Sequence, residues 1–255
     1  MMIKNFLQKF PGLIKFVREA VRILMLPIMI PVGMVMNARK KRLTPLANKS
    51  DSIGVLCRGV SLARAGELDF LDDFLIVNTR SVEMKAEPVK SLLLGKRIIH
   101  MVNVGEGVLP FWYLLKYQIY RYTISRLSSD GSEEGLRSPR KIYRTEKFGL
   151  KTEAMPDRME PYLEGASNTG VIAVAFAAVG LKKKHVYIAG MDFYETPYMT
   201  GPLQTHETNL ATEARDKMIN YIIKLAQRCP ETTFHFLTAS SYNFDLPNIK
   251  IHQEK

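Results

Sequence analysis

The fold is decided by the stretch TGVIAVAFAAVGLKKKHVYIAGMDFYETPY, residues 169–198. Its first eleven residues, Thr169 to Val179, are apolar from Val171 onward and long enough for a buried helix. Lys184 to Gly190 contains the short run Val186 to Ala189, which is typical of a buried strand. A buried helix followed by a strand and a polar loop is the repeating unit of a parallel α/β sheet. Ligands bind beyond the carboxyl ends of the strands in such sheets, so the loop after Gly190 is a candidate site.

The same alternation of apolar runs and helical patterns continues from Ser50 to the end of the chain. The predicted strands are Ser52 to Cys57, Phe74 to Asn78, Arg97 to Asn103, Lys184 to Gly190 and Thr233 to Thr238. The predicted helices are Glu83 to Leu94, Leu109 to Leu127, Thr169 to Val179 and Thr208 to Arg228. We therefore expect an α/β fold with a Rossmann-like, doubly wound and mostly parallel sheet.

Length and composition fit one globular domain with a short appendage. The 255 residues are 46% hydrophobic and 24% charged, which suffices to bury a sizeable core. We expect the appendage at residues 1–49 and the globular domain at residues 50–255. The two cysteines, Cys57 and Cys229, lie far apart without a Cys-x-x-Cys or a nearby His pair. They predict neither a disulfide framework nor a structural zinc site, and a reducing, cytoplasmic context is the simpler expectation.

The net charge of +11 is concentrated at the amino terminus. Residues 1–49 hold ten basic residues against one acidic residue, Glu19, which is a net charge of +9. The other 206 residues hold 26 basic and 24 acidic residues, a net charge of only +2. Because the globular part lacks a large positive field, we do not expect it to bind nucleic acid.

The amino-terminal segment has the pattern of a membrane-surface element. Apolar residues recur at helical spacing from Ile3 to Leu24, and the polar positions between them are mostly Lys and Arg. The uncharged run Ile23 to Met36 contains two prolines, is short for a membrane span, and is followed at once by Arg39-Lys-Lys-Arg42. This pattern favours an interfacial or re-entrant anchor on anionic lipid. A helix packed on the globular domain is the alternative, and a cleaved signal peptide fits less well.

Residues 128–165 form an irregular insertion in the α/β pattern. They contain Ser-Ser-Asp-Gly-Ser, Ser-Pro-Arg and several charges. A long loop in a compact domain is often a lid or a binding loop, so we expect a lid here. A disordered surface excursion is the alternative.

Polar residues follow the first three predicted strands. The first strand ends in Cys57-Arg-Gly-Val-Ser61, where Gly59 would let the backbone approach a ligand and Ser61 would cap a following helix. Asn78 and Asn103 each close an apolar strand, and an amide offers a donor and an acceptor to a nucleotide or a sugar. Turn geometry alone also favours asparagine at such positions.

Two later segments also place polar groups where a ligand would bind. Ala166-Ser-Asn-Thr-Gly170 lies at a predicted helix N-terminus, which attracts phosphate but needs a cap whatever the function. Gly190-Met-Asp-Phe-Tyr-Glu-Thr-Pro-Tyr198 follows a strand, and His206 follows in a Thr-His-Glu-Thr loop. Function concentrates on such loops, although a solvent-exposed histidine without a catalytic role is the alternative for His206.

In combination, these motifs resemble the bacterial sialyltransferases of glycosyltransferase family 42, typified by the Campylobacter lipooligosaccharide enzymes. The similarity runs from Ile53 to the carboxyl terminus and is strongest from Ser167 to Asn209. The family pattern is a Ser/Thr-Gly-Val helix start, an apolar helix, a strand ending in Gly-x-Asp-Phe-Tyr, a second Tyr, and a His before a helix. It is matched in order by Thr169-Gly-Val171, Gly190-Met-Asp-Phe-Tyr194, Tyr198 and His206.

The resemblance implies a nucleotide-sugar-binding catalytic domain with a variant of the GT-A fold. It would transfer sialic acid with inversion from CMP-sialic acid to an acceptor hydroxyl. His206 would be the general base, and Tyr194 and Tyr198 would hydrogen-bond the departing CMP phosphate. The donor-binding residues that it implies are Asn78, Asn103, Gly59, Ser61, Asn168, Thr169, Gly170 and Asp192. No metal and no cofactor is implied, and the sequence contains no Asp-x-Asp motif.

The partners implied by the resemblance are CMP-sialic acid and a glycan or glycolipid acceptor of lipopolysaccharide biosynthesis. Together with the basic amino-terminal segment, they suggest a peripheral or monotopic protein at the cytoplasmic face of an anionic membrane. A homo-oligomer is left open.

The chain departs from the family pattern at three points. The usual Gly-Asn-Gly-Pro-Ser after the first strand is Cys57-Arg-Gly-Val-Ser61 here, so Arg58 replaces an asparagine near the nucleotide. We expect Arg58 either to contact the phosphate or the donor carboxylate in compensation, or to mark another nucleotide sugar. An arginine that the family carries near the position of Ala166 is missing, and the membrane element is at the opposite end of the chain.

Two other classes of protein are compatible with the motifs. A nucleotide-binding protein of related fold, such as the flagellin-modification and pterin pyrophosphokinase-like proteins, would keep the Gly-x-Asp strand end without needing His206. It would use another donor or have no transferase activity. A membrane-surface scaffold would need none of the site residues.

Overall fold

The structure is a computed structural model that describes residues 50–77, 83–103, 120–124, 157–162, 165–166, 168–199 and 208–253. The predicted membrane segment at residues 1–49 and most of the predicted lid at residues 128–165 lie outside the described residues. Among the described residues, no helix combines the length and the apolar character needed to cross a membrane.

A seven-stranded sheet forms the centre of the domain. Its strands are β1 (Ser52–Leu56), β2 (Asp73–Val77), β3 (Arg97–Asn103), β4 (Tyr120–Ile124), β5 (His185–Ala189), β6 (Thr233–Leu237) and β7 (Ile249–His252). The spatial order is β4-β3-β2-β1-β5-β6-β7, and every neighbouring pair is parallel. Along the chain, β2, β3 and β4 are added in turn on one side of β1, and β5, β6 and β7 are then added in turn on its other side. The predicted α/β fold with a Rossmann-like parallel sheet is therefore confirmed, and its topological switch point lies between β1 and β5.

Helices cover both faces of this sheet. The α-helices are α1 (Val89–Leu92), α2 (Thr169–Ala175) and α3 (Thr208–Arg228), and a π-helical turn, Phe176–Gly180, continues α2. Short 3-10 helices occupy Val60–Leu68, Glu83–Lys85 and Asp157–Tyr162. The predicted bounds of α3 agree with the structure, and the predicted helix at Thr169 to Val179 is the α2 and π-helical segment.

Alternation along the strands explains the two layers, because successive side chains of a strand point to opposite faces of a sheet. Ile53 and Val55 of β1 pack into one buried cluster with α2 and α3, whereas Leu56 packs into the other with the 3-10 helix Val60–Leu68 and α1. Both faces of the central strands are buried, which is why these strands are continuous apolar runs.

Three sequence predictions about secondary structure were incomplete or wrong. Residues 120–124 are strand β4, in register with β3, and not part of the predicted helix Leu109 to Leu127. The sequence Tyr-Arg-Tyr-Thr-Ile contains two aromatic and two β-branched residues, which are enriched in strands, but they lie within a longer apolar pattern that was interpreted as a helix. Strand β7 was not predicted, because this edge strand has four residues and includes a lysine and a histidine.

The segment predicted as one helix from Glu83 to Leu94 is divided. A 3-10 turn, Glu83–Lys85, precedes α1, which begins after Pro88. Proline has no amide hydrogen and disfavours helical geometry in the residue before it, so a continuous helix cannot pass through this position.

A buried ion cluster fixes the amino-terminal edge of the sheet. The Lys183 side chain is fully buried, and its Nζ donates to the Ser50 carbonyl (2.5 Å) and to Asp73 Oδ2 (3.5 Å). Asp73 also accepts from Arg97 Nε. Burial lowers the pKa of Lys183, an effect that the negative charge of Asp73 opposes. The cluster joins the starts of β2 and β3 to the residue two positions before β5.

Three histidines lie in a row across β5, β6 and β7. His235 Nε2 is 3.5 Å from His185 Nδ1, and His235 Nδ1 is 3.3 Å from His252 Nε2. The His235 ring stacks on Tyr187, with 4.2 Å between ring centroids. Burial, with smaller contributions from the charges of His252 and His185, lowers the pKa of His235 from 6.5 to about 4.

The depressed pKa of His235 predicts a loss of stability in mild acid. An unfolded chain binds a proton at this histidine below pH 6.5, whereas the folded chain resists protonation until about pH 4. The free energy of unfolding should therefore fall between pH 6.5 and pH 4, by up to about 3 kcal/mol from this group. His235→Phe keeps a ring on Tyr187 and removes the titration. Urea unfolding at pH 7 and pH 5 should show a smaller drop for the variant than for the wild type; equal drops would contradict the assignment.

Candidate functional site

The segments that follow β1 and β5 pair with each other beyond the switch point. The Cys57 amide donates to the Ala189 carbonyl and the Gly59 amide donates to the Gly190 carbonyl, both at 2.8 Å. Gly59 also forms an isolated antiparallel bridge with Tyr198. The two loops therefore form one platform at the carboxyl edge of the sheet, which is where open α/β proteins bind their ligands.

Two glycines allow this close approach of the loops. A Cβ on Gly59 would lie 2.3 Å from Asp192 Oδ2, and a Cβ on Gly190 would lie 2.8 Å from the carbonyl carbon of Cys57. Gly190 also has a φ of +77°, a conformation that favours glycine. The small size of Gly59, expected from the sequence to admit a ligand, makes room for the second loop.

Asp192 joins the loops after β1, β5 and β6. The residue is 4% exposed, so its carboxylate requires internal partners. Its donors are the Ser61 amide (2.9 Å), the Ser61 hydroxyl (2.5 Å), the Ala239 amide (3.0 Å), the Thr238 hydroxyl (3.1 Å) and the Thr196 hydroxyl (3.0 Å). Five donors occupy the carboxylate, and they hold the three loops in one arrangement.

Ser61 belongs to the same network. Its hydroxyl donates to Asp192 and accepts from the Gly190 amide at 2.9 Å. The prediction that Ser61 caps a helix was wrong, because the 3-10 helix Val60–Leu68 begins after Gly59 and no side chain caps it. Ser61 lies within this helix, and its hydroxyl donates to the charged carboxylate of Asp192 instead.

The loop after β5 turns sharply through two non-glycine residues in the left-handed region. Phe193 has a φ of +49° and Tyr194 a φ of +61°. Such a conformation is costly for a residue with a side chain, and consecutive instances persist only where the surroundings enforce them. Here the enforcing contact is the Phe193 ring, which is buried against Phe236 and Phe244. The turn directs the next residue, Tyr194, toward the start of α2.

Asn168 connects Tyr194 to α2. Its Oδ1 accepts from the Val171 amide (3.1 Å) and so caps the helix that begins at Thr169. Its Nδ2 donates to the Tyr194 hydroxyl at 3.2 Å and lies 3.2 Å from the sulfur of Met218 in α3. The amide thus fixes the position of the tyrosine hydroxyl relative to both helices.

Arg58 lies among three segments that follow strand ends. Its Nε donates to Glu83 Oε1 at 2.9 Å, and its Cζ is 4.3 Å from the centroid of the Tyr198 ring. The Glu83 side chain is fully buried, whereas that of Arg58 is 11% exposed. Glu83 was missed in the sequence because an acidic residue at the start of a predicted helix has an ordinary role there.

Glu195 is a second acidic residue that the sequence did not single out. It accepts from the Ser241 amide (2.8 Å) in the loop after β6, and it pairs with Arg215 of α3 (2.9 Å). It therefore links the loop that carries the two tyrosines to α3. A glutamate beside a tyrosine in a loop gives no sequence signal for such a contact.

Cys57 is not a nucleophile in this structure. Burial raises the pKa of its thiol to about 12, and the nearby charge of Asp192 acts in the same direction. The thiol is protonated at neutral pH, and the thiolate is the reactive form. Cys57 lies against the start of α2, where a Cβ on Gly170 would be 3.3 Å from the sulfur.

Several residues singled out in the sequence converge at the switch point. They are Arg58, Gly59, Ser61, Asn168, Thr169, Gly170, Asp192, Tyr194 and Tyr198. Asn103 ends β3, two strands away from β1 on the same edge of the sheet. Asn78 and His206 lie outside the described residues.

Within the part of the chain that the structure describes, no group of three or more His, Cys, Asp or Glu side chains is arranged to hold a metal ion.

Comparisons with known proteins give a similarity among solved structures. No protein-family model matches the chain. No curated protein matches it. Among solved structures, the chain is similar to the Campylobacter sialyltransferase CST-II, whose crystal structure contains a trisaccharide acceptor and CMP. The two are 15% identical, the similarity covers 78% of this chain and 85% of that one, and the TM-score is 0.47. At this identity and TM-score, the function has to be inferred from the residues of the chain itself.

Proposed function

We propose that this chain is a sialyltransferase-like glycosyltransferase that transfers sialic acid from CMP-sialic acid to a hydroxyl of a glycan or glycolipid, with inversion. The observation that carries the proposal is the platform at the switch point, where the loops after β1 and β5 bring Arg58, Tyr194 and Tyr198 to the carboxyl edge of the sheet. In α/β proteins, this edge is where nucleotides bind.

The chemistry of the platform suits a nucleoside monophosphate leaving group. Negative charge builds up on the phosphate as the glycosidic bond breaks, and fixed hydrogen-bond donors stabilise it. Tyr194 and Tyr198 supply hydroxyl groups, and the position of the Tyr194 hydroxyl is fixed by Asn168. A metal-independent reaction is part of the proposal, because these donors can serve a monophosphate and the sequence has no Asp-x-Asp motif to hold a divalent ion.

His206 would be the general base of this transfer. The acceptor oxygen bonds to the anomeric carbon of sialic acid while the bond from that carbon to the phosphate oxygen breaks, and the hydroxyl proton moves to the imidazole. The electron pair of the broken bond leaves with CMP. His206 stands two residues before α3 in the chain, and the Glu195–Arg215 pair ties α3 to the tyrosine loop. This anchoring supports a base held close to the platform.

The tyrosines provide a test of leaving-group stabilisation. Tyr194→Phe and Tyr198→Phe keep the rings and remove one hydroxyl each. Each should lower the turnover of CMP-sialic acid by about 10- to 1000-fold and change CMP affinity much less, because the lost donor acts mainly in the transition state. Tyr187→Phe is the matched control, since that ring stacks on His235. Wild-type turnover in both site variants would rule out the role assigned to the tyrosines.

His206 provides an independent test of the base. His206→Ala should retain CMP binding but lose transfer by about 100-fold or more, the scale expected for loss of a general base. Wild-type turnover should rise through a pKa of about 6 to 7 as the imidazole becomes neutral, and the variant should lack that rise. His252→Ala, at the exposed end of β7, is the control. Transfer at the wild-type rate in His206→Ala would contradict the mechanism, and CMP binding without any transfer by the wild type would favour the non-transferring alternative.

The basic amino-terminal segment is proposed to hold the enzyme at the cytoplasmic face of the membrane, as a peripheral or monotopic protein. Deletion of residues 1–42 should abolish co-sedimentation with anionic vesicles and leave CMP affinity unchanged, because most of the basic charge and the apolar residues at helical spacing both lie there. Neutral vesicles serve as the control for charge. A truncated protein that aggregates or loses CMP binding would show that the segment belongs to the core of the domain.

A further inference from the structure

We infer that Arg58 is a binding residue for an oxyanion of the donor, either the phosphate of the nucleotide or the carboxylate of the transferred sugar. The inference rests on the proposed function for the identity of the donor. It adds a charged group to a site in which the resemblance described above expects an uncharged asparagine at this position.

The position of Arg58 favours a ligand contact. The residue is second after the end of β1, and its side chain reaches Glu83, beyond β2, and Tyr198, beyond β5. Its guanidinium is therefore held between segments that follow three neighbouring strands. This is the crevice at the topological switch point, where a bound anion would lie against the carboxyl ends of the strands.

The geometry of the guanidinium leaves donors for an anion. The Glu83 carboxylate engages Nε through Oε1, and Tyr198 covers the planar face of the group. Among the contacts of the described residues, no hydrogen bond involves the two terminal nitrogens of Arg58. Those nitrogens form the fork that binds phosphate or carboxylate through two parallel hydrogen bonds.

A purely structural role explains these contacts less well. Burying an ion pair contributes little net stability, since the cost of removing both charges from water offsets their attraction. Replacement of a buried ion pair by well-packed apolar residues of similar volume is often neutral or stabilising. We assign to the fully buried Glu83 the role of orienting Arg58. The Glu83 carboxylate at Nε and the Tyr198 ring on the planar face together restrict the guanidinium to one orientation. A preoriented cation binds an anion with less loss of side-chain entropy.

The test is a double variant that removes both charges together. Arg58→Gln alone would remove the positive charge that faces the buried Glu83 carboxylate and would endanger folding. Arg58→Gln/Glu83→Gln avoids that problem and preserves a hydrogen-bonding pair. The matched control is Arg64→Gln/Glu67→Gln, which removes an arginine–glutamate pair from the adjacent 3-10 helix. Circular dichroism confirms folding, and calorimetry measures the affinities for cytidine, CMP and CMP-sialic acid at one salt concentration.

If Arg58 binds the phosphate, the site double variant should lose about 10- to 100-fold in affinity for CMP and for CMP-sialic acid, with cytidine unaffected. If it binds the sugar carboxylate, CMP affinity should be retained and only CMP-sialic acid affinity should fall. The control variant should match the wild type in every case. Unchanged affinity for both anionic ligands in the folded site variant would overturn the inference.

The same experiment separates this inference from the proposed function. If the wild-type protein binds UDP, GDP or ADP but does not bind CMP, the sialyltransferase assignment is refuted. The role of Arg58 would then be decided by whether the site double variant loses that binding by a similar factor. Wild-type protein that binds none of these nucleotides, nor CMP-sialic acid, would overturn both proposals. A double variant that fails to fold despite its neutral pair would show that the Arg58–Glu83 pair is structural, which also overturns the inference.

Discussion

The rest of the site depends on one buried carboxylate, that of Asp192. A negative charge this far from water must be surrounded by donors, and the nearest donors lie on the loops after β1, β5 and β6. Satisfying the charge therefore brings those loops together. The glycines at positions 59 and 190 are required by this contact, because a side chain at either position would collide with the opposite loop. The charge of Asp192 is used to assemble the platform, and other residues present donors to a ligand.

The loops assembled in this way determine where the ligand-facing groups lie. Once the loop after β5 is held by Asp192, the burial of Phe193 forces a left-handed turn that directs Tyr194 to Asn168. The antiparallel bridge between Gly59 and Tyr198 sets the second tyrosine beside Arg58. Arg58 and Tyr198, far apart in the sequence, thus become neighbours, and Tyr194 is held by Asn168, all through contacts within the chain. Such preorganisation is what electrostatic stabilisation of a leaving group requires.

The sequence predicted the parallel sheet well because its central strands are buried on both faces and are therefore continuous apolar runs. It failed at the edges, where β4 is hidden within a longer apolar pattern and β7 is short and charged. The loop residues at the switch point were identified because they follow strand ends or lie at the start of a helix. Their individual contacts were not predictable, since the partners of Asp192 lie up to 131 positions away. Glu83 and Glu195 were missed for the same reason, because no local pattern distinguishes a buried acidic residue with a distant arginine partner from an exposed one.

The two edges of the sheet use buried charge differently. At the amino-terminal edge, Asp73 faces both Lys183 and Arg97, and Lys183 also donates to the Ser50 carbonyl, so the charges there are directed at one another and at the backbone. At the carboxyl-terminal edge, Glu83 engages a single nitrogen of Arg58, and the ring of Tyr198 covers its face. In the first arrangement, the charged groups pair with one another and with the backbone, which is the arrangement expected of a purely structural cluster. The second keeps a guanidinium in a fixed orientation beside the tyrosine loop, with its two terminal nitrogens directed to no described acceptor. A cation held in this way, at the edge where parallel strands end, is better explained by an anion that it binds than by the stability of the fold.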